Sequence, residues 1–160
     1  MGATLKTRPN DKEIYNQTLN IPHPYEKKDA LWWFNNIKKI KSEQGCAVTW
    51  AIRDINKQVV GGVGFHDIAL GKSHCAEIGY WLAKKYWGQG IMTAAVKTAT
   101  DHAFNKWKLI RIIAGVFHFN QRSARVLEKN GYELEGTLRS RYRKDGKVFD
   151  GKLYSKIKNI

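Results

Sequence analysis

Glu77-Ile-Gly-Tyr-Trp-Leu-Ala-Lys-Lys-Tyr-Trp-Gly-Gln-Gly-Ile-Met-Thr-Ala-Ala-Val96 reads as a strand, a tight turn and the opening of a helix. Ala76, Ile78, Tyr80 and Leu82 alternate with Cys75, Glu77, Gly79 and Trp81, the two-residue period of a strand. Gly88 and Gly90 follow, and Ile91, Ala94, Ala95, Ala99 and Ala103 then recur on neighbouring faces of a helix. Glycines let main-chain amides point outward with no Cβ in the way. A helix N-terminus adds unpaired donors and a partial positive charge, so the turn is suited to phosphate. A dinucleotide turn would carry a third glycine and an NTP loop a Lys-Ser/Thr; neither stands here. The reading is a diphosphate cradle of another kind, set against the plainer one of an ordinary strand-to-helix connection.

Outward from this stretch the elements fall into a regular order. A short helical pattern covers about 10–20 and ends at Pro22 and Pro24; a second runs from Asp29 to about Ser42, with Trp33, Ile37 and Ile40 inward. Strands are expected at about 46–53 and 58–66, then the strand, turn and helix above, the helix reaching about Trp107. Ile110–Phe117 is an apolar strand, and Asn120–Asn130 a helix stopped by Gly131. Two last strands meet at Lys144-Asp-Gly-Lys147, a strong hairpin signal. Strands alternating with helical crossovers predict an α/β (α+β) domain with a mixed sheet.

The block Glu77–Ala95 resembles motif A of the GNAT superfamily of N-acetyltransferases, with Lys85-Tyr-Trp-Gly-Gln-Gly90 at the pyrophosphate loop for acetyl-CoA. Asn120-Gln-Arg-Ser123 with Val126-Leu-Glu-Lys-Asn-Gly-Tyr132 is similar to the Asn-x-x-Ser…Glu-Lys-x-Gly-Phe helix of the RimJ/RimL branch. Pro24-Tyr25 with Asp29-Ala30 looks like that branch's substrate-side turn, and Gly136-Thr-Leu-Arg139, Asp145-Gly-Lys, Asp150 and Leu153-Tyr-Ser155 like its closing hairpin. The resemblance covers the chain from about residue 10 onward. It implies one GNAT domain over residues 1–160, its mostly antiparallel sheet splayed at the centre with helices on both faces. In one respect the chain departs from the pattern. Only residues 1–9 precede the segment matched at Asn10-Asp11, so the family's first strand is expected to be shortened or missing. An exposed edge of that kind favours pairing with a second copy, so a homodimer and a truncated product are both expectations.

The resemblance also implies a mechanism. Acetyl-CoA, the co-substrate, lies across the splayed strands, its pyrophosphate on the amides of Gly88, Gln89, Gly90, Ile91 and Met92 beside Lys85. Amides near Trp81 and Leu82 polarise the thioester carbonyl, and Asn120 and Ser123 lie at the pantetheine arm and sulfur. An amine then attacks directly in a ternary complex. The amine must be neutral: an α-amine titrates at about 8, whereas a lysine near 10.4 costs roughly 4.6 kcal/mol at pH 7. Glu77 is the candidate base, acting through water; its competing reading is a structural carboxylate paired with Lys or Arg. Ser123 is the candidate acid for the departing thiolate, against a place merely in a first turn capped by Asn120. Where some RimL-type enzymes place a base, Tyr142 stands here, at most a hydroxyl participant. Tyr25, Trp32 and Trp33 either line an acceptor cleft or pack inward, and Tyr86 and Trp87 anchor the turn.

Charge narrows the acceptor. Twenty-eight Lys and Arg against fourteen Asp and Glu give a formal charge of +14. Much of it lies late, at Arg139, Arg141, Arg143, Lys144, Lys147, Lys152, Lys156 and Lys158. Such a field draws anionic partners and repels polycations. The RimJ/RimL resemblance implies a protein N-terminal α-amine as acceptor, and the basic surface suits a partner held on RNA or bearing acidic residues, with small amines (polyamine, aminoglycoside or another metabolite) as the alternative. A third reading is a non-catalytic RNA- or ribosome-binding module on the same scaffold. Cys46 and Cys75 read as small buried strand residues in a reducing cytoplasm. Histidine spacing predicts no metal site, and no apolar run predicts a membrane span.

Overall fold

The computed structural model describes residues 11–158. Along the chain run α1 (Lys12–Gln17), α2 (Lys27–Gln44), β1 (Thr49–Arg53), β2 (Val59–His66), β3 (Cys75–Leu82) and a 3-10 turn (Lys84–Tyr86). Then come α3 (Ile91–Asn105), β4 (Arg111–Phe117), α4 (Gln121–Lys129), β5 (Glu133–Lys144) and β6 (Lys147–Ile157). The expected irregularity of a first strand falls on residues 1–10, outside the described part.

Local chemistry explains where these elements start and stop. The Asp11 carboxylate accepts the Glu13 amide (2.8 Å) to open α1, and a reciprocal pair between Glu26 and Asp29 opens α2. Gly131, at φ 74°, closes α4 in the left-handed region. Asp145 (φ 51°) and Gly146 (φ 72°) make the two-residue turn of the β5–β6 hairpin, the conformation that Asp-Gly tolerates best.

The strands form one sheet in the order β1-β2-β3-β4-β6-β5. Every neighbouring pair is antiparallel except β3 and β4. That parallel pairing is short: it joins Cys75, Ala76 and Glu77 to Arg111, Ile112 and Ile113 and then ends. Both strands continue, β3 paired to β2 as far as Leu82 and β4 paired to β6 as far as Phe117. The sheet therefore parts at its centre after Glu77, as the splay predicted from the sequence.

One face of the sheet carries the core. Val60, Val63 and Phe65 of β2, Ile78 and Leu82 of β3, and Ile112, Ala114 and Val116 of β4 pack with Val96, Ala99 and Ala103 of α3 and Leu127 of α4. Small residues on α3 let it lie close to the strands. The buried Thr100 hydroxyl of α3 is paired with the Tyr132 hydroxyl at 2.7 Å, and burial pushes the Tyr132 phenol up to about 12. Elsewhere burial is looser than the sequence pattern predicts. Trp33, Ile37 and Ile40 are half-buried, Trp32 is 67% exposed, and both cysteines are half-buried.

Three lysines of the last hairpin end three helices. Lys144 Nζ donates to the Tyr15 and Thr18 carbonyls at the end of α1 (both 2.5 Å). Lys156 Nζ donates to Asn130 O after α4 (2.6 Å), and Lys158 Nζ to Phe104 O in the last turn of α3 (3.0 Å). Each places a cation on carbonyls at or just past a helix C-terminus, the negative end of the helix dipole. Part of the late basic surplus is thus structural.

Candidate active site

The turn between β3 and α3 is held by its aromatic residues. Trp87 Nε1 donates to Leu82 O at 2.7 Å, and Tyr86 Oη to Asp54 Oδ2 at 2.9 Å. Both anchor the turn, as expected. Gly88 (φ 75°) and Gly90 (φ 76°) occupy the left-handed region, which an L side chain enters at a cost. Gly90 is the residue before α3 and offers no side-chain cap. The amides of Ile91, Met92 and Thr93 therefore start the helix without the intrahelical acceptors that later residues have. A Cβ on either glycine would meet nothing within 4 Å, so the space above the amides is open. Gln89 Nε2 donates back to Lys85 O (3.0 Å), and exposed Lys85 lies with its ammonium 4.8 Å over the Tyr86 ring.

The parted strands add further donors. The Ala83 amide bonds Val60 O at 2.8 Å, and the alternation of an antiparallel ladder then turns the Trp81 amide toward β2 as well. The amides of Tyr80 and Leu82 point the other way, to the side from which β4 has diverged. Of the two amides named from the sequence, Leu82's faces the gap and Trp81's is directed to its neighbour Gly62. Tyr80 takes the vacated place.

Glu77 sits where the strands part. Its Oε1 accepts the Gly115 amide at 3.3 Å, an amide that a continuous sheet would have bonded to β3. Among the described residues Glu77 enters no ion pair, so the competing structural pairing with a Lys or Arg is not seen there. The Tyr142 hydroxyl arrives over the same glycine: a Cβ on Gly115 would lie 2.3 Å from Tyr142 Oη and 3.1 Å from Glu77 Oε1. Burial raises the Tyr142 phenol above its ordinary value, and the Glu77 carboxylate adds to the shift.

Ser123 lies on the other face, in the first turn of α4. Asn120 Oδ1 accepts its amide at 3.1 Å and so caps the helix, while Asn120 Nδ2 reaches Gln17 O of α1 at 3.4 Å. The Ser123 hydroxyl is 2.8 Å from Tyr80 Oη, which also donates to Ser123 O (3.1 Å). Burial drives the Tyr80 phenol well above its usual range. It stays protonated and holds the serine in place. Glu77 and Ser123 thus flank the gap from opposite faces of the sheet.

Sequence reasoning missed Tyr80, Arg122, whose guanidinium lies 4.9 Å over the Trp87 ring, and a cluster of phenylalanines. Phe117, Phe119 and Phe149 pack together (centroids 5.2–5.7 Å), and Phe117 also packs on Tyr142 at 4.8 Å. With Asn16, Lys144, Asp145 and Lys147 they line a cavity of about 260 Å³ beside the gap. The signal was tertiary: rings from β4, the loop after it and β6 meet only once the sheet forms. No group of His, Cys, Asp or Glu suited to a metal occurs among the described residues.

Three comparisons bear on this arrangement. Residues 5–133 match the family model of the acetyltransferase (GNAT) domain. The probable N-acetyltransferase YjcK of Bacillus subtilis is 44% identical over 89 residues, covering 56% of this chain and 49% of the relative. Among solved structures, the ribosomal-protein-S5-alanine acetyltransferase of Vibrio fischeri is 30% identical with a TM-score of 0.72, covering 78% of this chain and 70% of that one. A RimL ribosomal L7/L12 α-N-protein acetyltransferase in complex with coenzyme A superposes with a TM-score of 0.79 at 23% identity, covering 94% and 84%. The chain spans 49–63% of the length of several curated relatives that it matches. A sheet parted beside a glycine-flanked helix start, matched by a family model over most of the chain, leads to one assignment: the chain belongs to the GNAT acetyltransferase family.

Proposed function

We propose that residues 1–160 act as a single acetyl-CoA-dependent N-acetyltransferase domain that moves the acetyl group to the α-amine of a protein N-terminus. The observation that carries this is the parting of β3 from β4 beside the Gly88–Gly90 turn. A thioester entering there supplies an activated acyl carbon; the remaining work falls to the chain. The amides of Gly88 through Met92 hold the linked phosphates, with Lys85 alongside. The amides of Leu82 and Tyr80 stabilise negative charge developing on the carbonyl oxygen. Ser123, steadied by Tyr80, donates to the departing sulfur, Asn120 borders the pantetheine arm, and Glu77 accepts the proton that the amine loses.

Charge and shape support the acceptor. Lys144 and Lys147 edge the phenylalanine-lined cavity, where Asp145 is engaged by the Tyr15 hydroxyl. Such a rim disfavours polyamines and aminoglycosides, and an apolar wall suits the first side chain of a peptide. The similarity to an enzyme named for ribosomal protein S5 alanine points the same way. The cavity is also of a size to hold a single small amine, which keeps small-molecule acceptors as the second reading. A mass-spectrometric competition among peptides, free amino acids and polyamines with acetyl-CoA tests the choice. The reading expects peptide N-termini to be acetylated first; preferential acetylation of a polyamine or a free amino acid would overturn it.

A further inference from the structure

Tyr142 reaches the gap by an unusual route. It stands on β5, at the sheet edge, two strands away from β4. Its ring crosses Gly151 of β6, where a Cβ would lie 2.7 Å from Cε2, and its hydroxyl ends over Gly115 of β4, where a Cβ would lie 2.3 Å from Oη. Two strands therefore forgo side chains along the path of one ring. Phe117 closes the path at a centroid distance of 4.8 Å.

The backbone of β5 is bent to aim it. Between the pairs Leu138↔Gly151 and Tyr142↔Phe149, β5 spends Arg139, Ser140 and Arg141 against Asp150 alone. Such a bulge re-aims the side chains that follow it. Ser140 stands at φ 52°, a region a serine enters at a cost. Asp150 Oδ1 accepts the Ser140 amide at 2.8 Å. The Asp150 carbonyl in turn receives the His118 amide at 3.0 Å, tying the bulge to the end of β4.

Resting on the acetyltransferase reading, we infer that Tyr142 is a catalytic residue that takes the proton from the attacking amine and passes its own through a water to Glu77, and that Asp150 is its positioning residue. The step balances as follows. The nitrogen lone pair forms the C–N bond, and the C–S bond breaks with its electron pair on sulfur. A proton leaves nitrogen for Tyr142 Oη as the phenolic proton moves to a water that gives one of its own to Glu77, so the phenol and the water end unchanged and Glu77 ends protonated. The sulfur leaves as a thiolate that takes up one proton, and Glu77 returns one to solvent. Gly115 fixes one end of this relay, since its amide holds Glu77 Oε1. Tyr142 keeps its proton at neutral pH because burial and the nearby carboxylate both favour the neutral phenol, against the neighbouring Arg141.

A double-mutant cycle with Tyr142→Phe and Glu77→Gln tests the relay, with acetyl-CoA affinity measured on every variant. Each single change is expected to lower kcat about 100-fold with acetyl-CoA affinity unchanged, and the double variant to lose little more than either, because the two act as one unit. Asp150→Ala is expected to resemble Tyr142→Phe, whereas Asp150→Asn, which keeps the acceptor oxygen, restores turnover to within about threefold. Tyr142→Phe within about threefold of the parent, losses that multiply in the double variant, or Asp150→Asn as damaged as Asp150→Ala would each overturn the inference. Failure of the acetyltransferase reading itself would show in the parent protein, as no transfer to any amine.

Discussion

Gly115 illustrates how much one missing side chain decides. Its amide orients Glu77 and its bare Cα admits the Tyr142 hydroxyl. Gly115→Ala should therefore displace the phenol. The expected result is a loss of about 1–3 kcal/mol in stability from overpacking, with kcat down at least about tenfold; steady-state kinetics beside a melting curve check both. Glu135 gives a purely structural counterpart. It pairs with both terminal nitrogens of Arg111 and accepts from Ser155 Oγ at 2.6 Å. The Arg111 and Ser155 bonds hold its carboxyl down at about 2. A depressed carboxylate stabilises the fold above its unfolded value of about 4.3 and loses that contribution as pH falls toward 2. The stability difference between the parent and Glu135→Gln should shrink across that window, as denaturation at successive pH values would record. Single residues were unevenly legible in the sequence. Glu77, Ser123 and Asn120 stand in recognisable spacing, while Tyr80 and Phe149 take their roles from neighbours distant along the chain.

At the scale of elements, the turn before α3 was the most legible part, because glycines at 88 and 90 before an alanine-rich helix admit few backbone paths. The strand, helix and hairpin boundaries followed for the same local reasons. The bulge in β5 was not legible: nothing in Arg139-Ser-Arg141 signals three residues opposed to one until Asp150 arrives from β6. The cradle makes a clean prediction, since a Cβ on Gly90 meets no atom and only backbone preference is disturbed. Gly90→Ala should let the free turn relax away from φ 76°, at a cost of about 1–2 kcal/mol to restore. The acetyl-CoA Kd is expected to rise about 5- to 30-fold by calorimetry, with little change in Tm. Lys156→Met should do the reverse. Removing the cation from the Asn130 carbonyl is expected to cost about 1–2 kcal/mol of stability and to leave acetyl-CoA affinity unchanged.

Across the whole molecule, one parted sheet brings together groups from separate elements: amides from β3 and the first turn of α3, a carboxylate on β3, a hydroxyl on α4 and a phenol on β5. Composition alone saw only a basic chain of +14. The structure divides that charge, assigning Lys144, Lys156 and Lys158 to helix ends and leaving Arg139, Arg143 and Lys147 exposed. Among the described residues no helix is long and apolar enough to cross a membrane. The most direct test of acetyl transfer is a product balance: the protein, acetyl-CoA and an N-terminal peptide, with acetylated peptide and free coenzyme A thiol quantified together. The account predicts equal amounts of the two, rising with time and absent without the protein. Thiol released without acetylated amine, or neither product from folded protein, would contradict it.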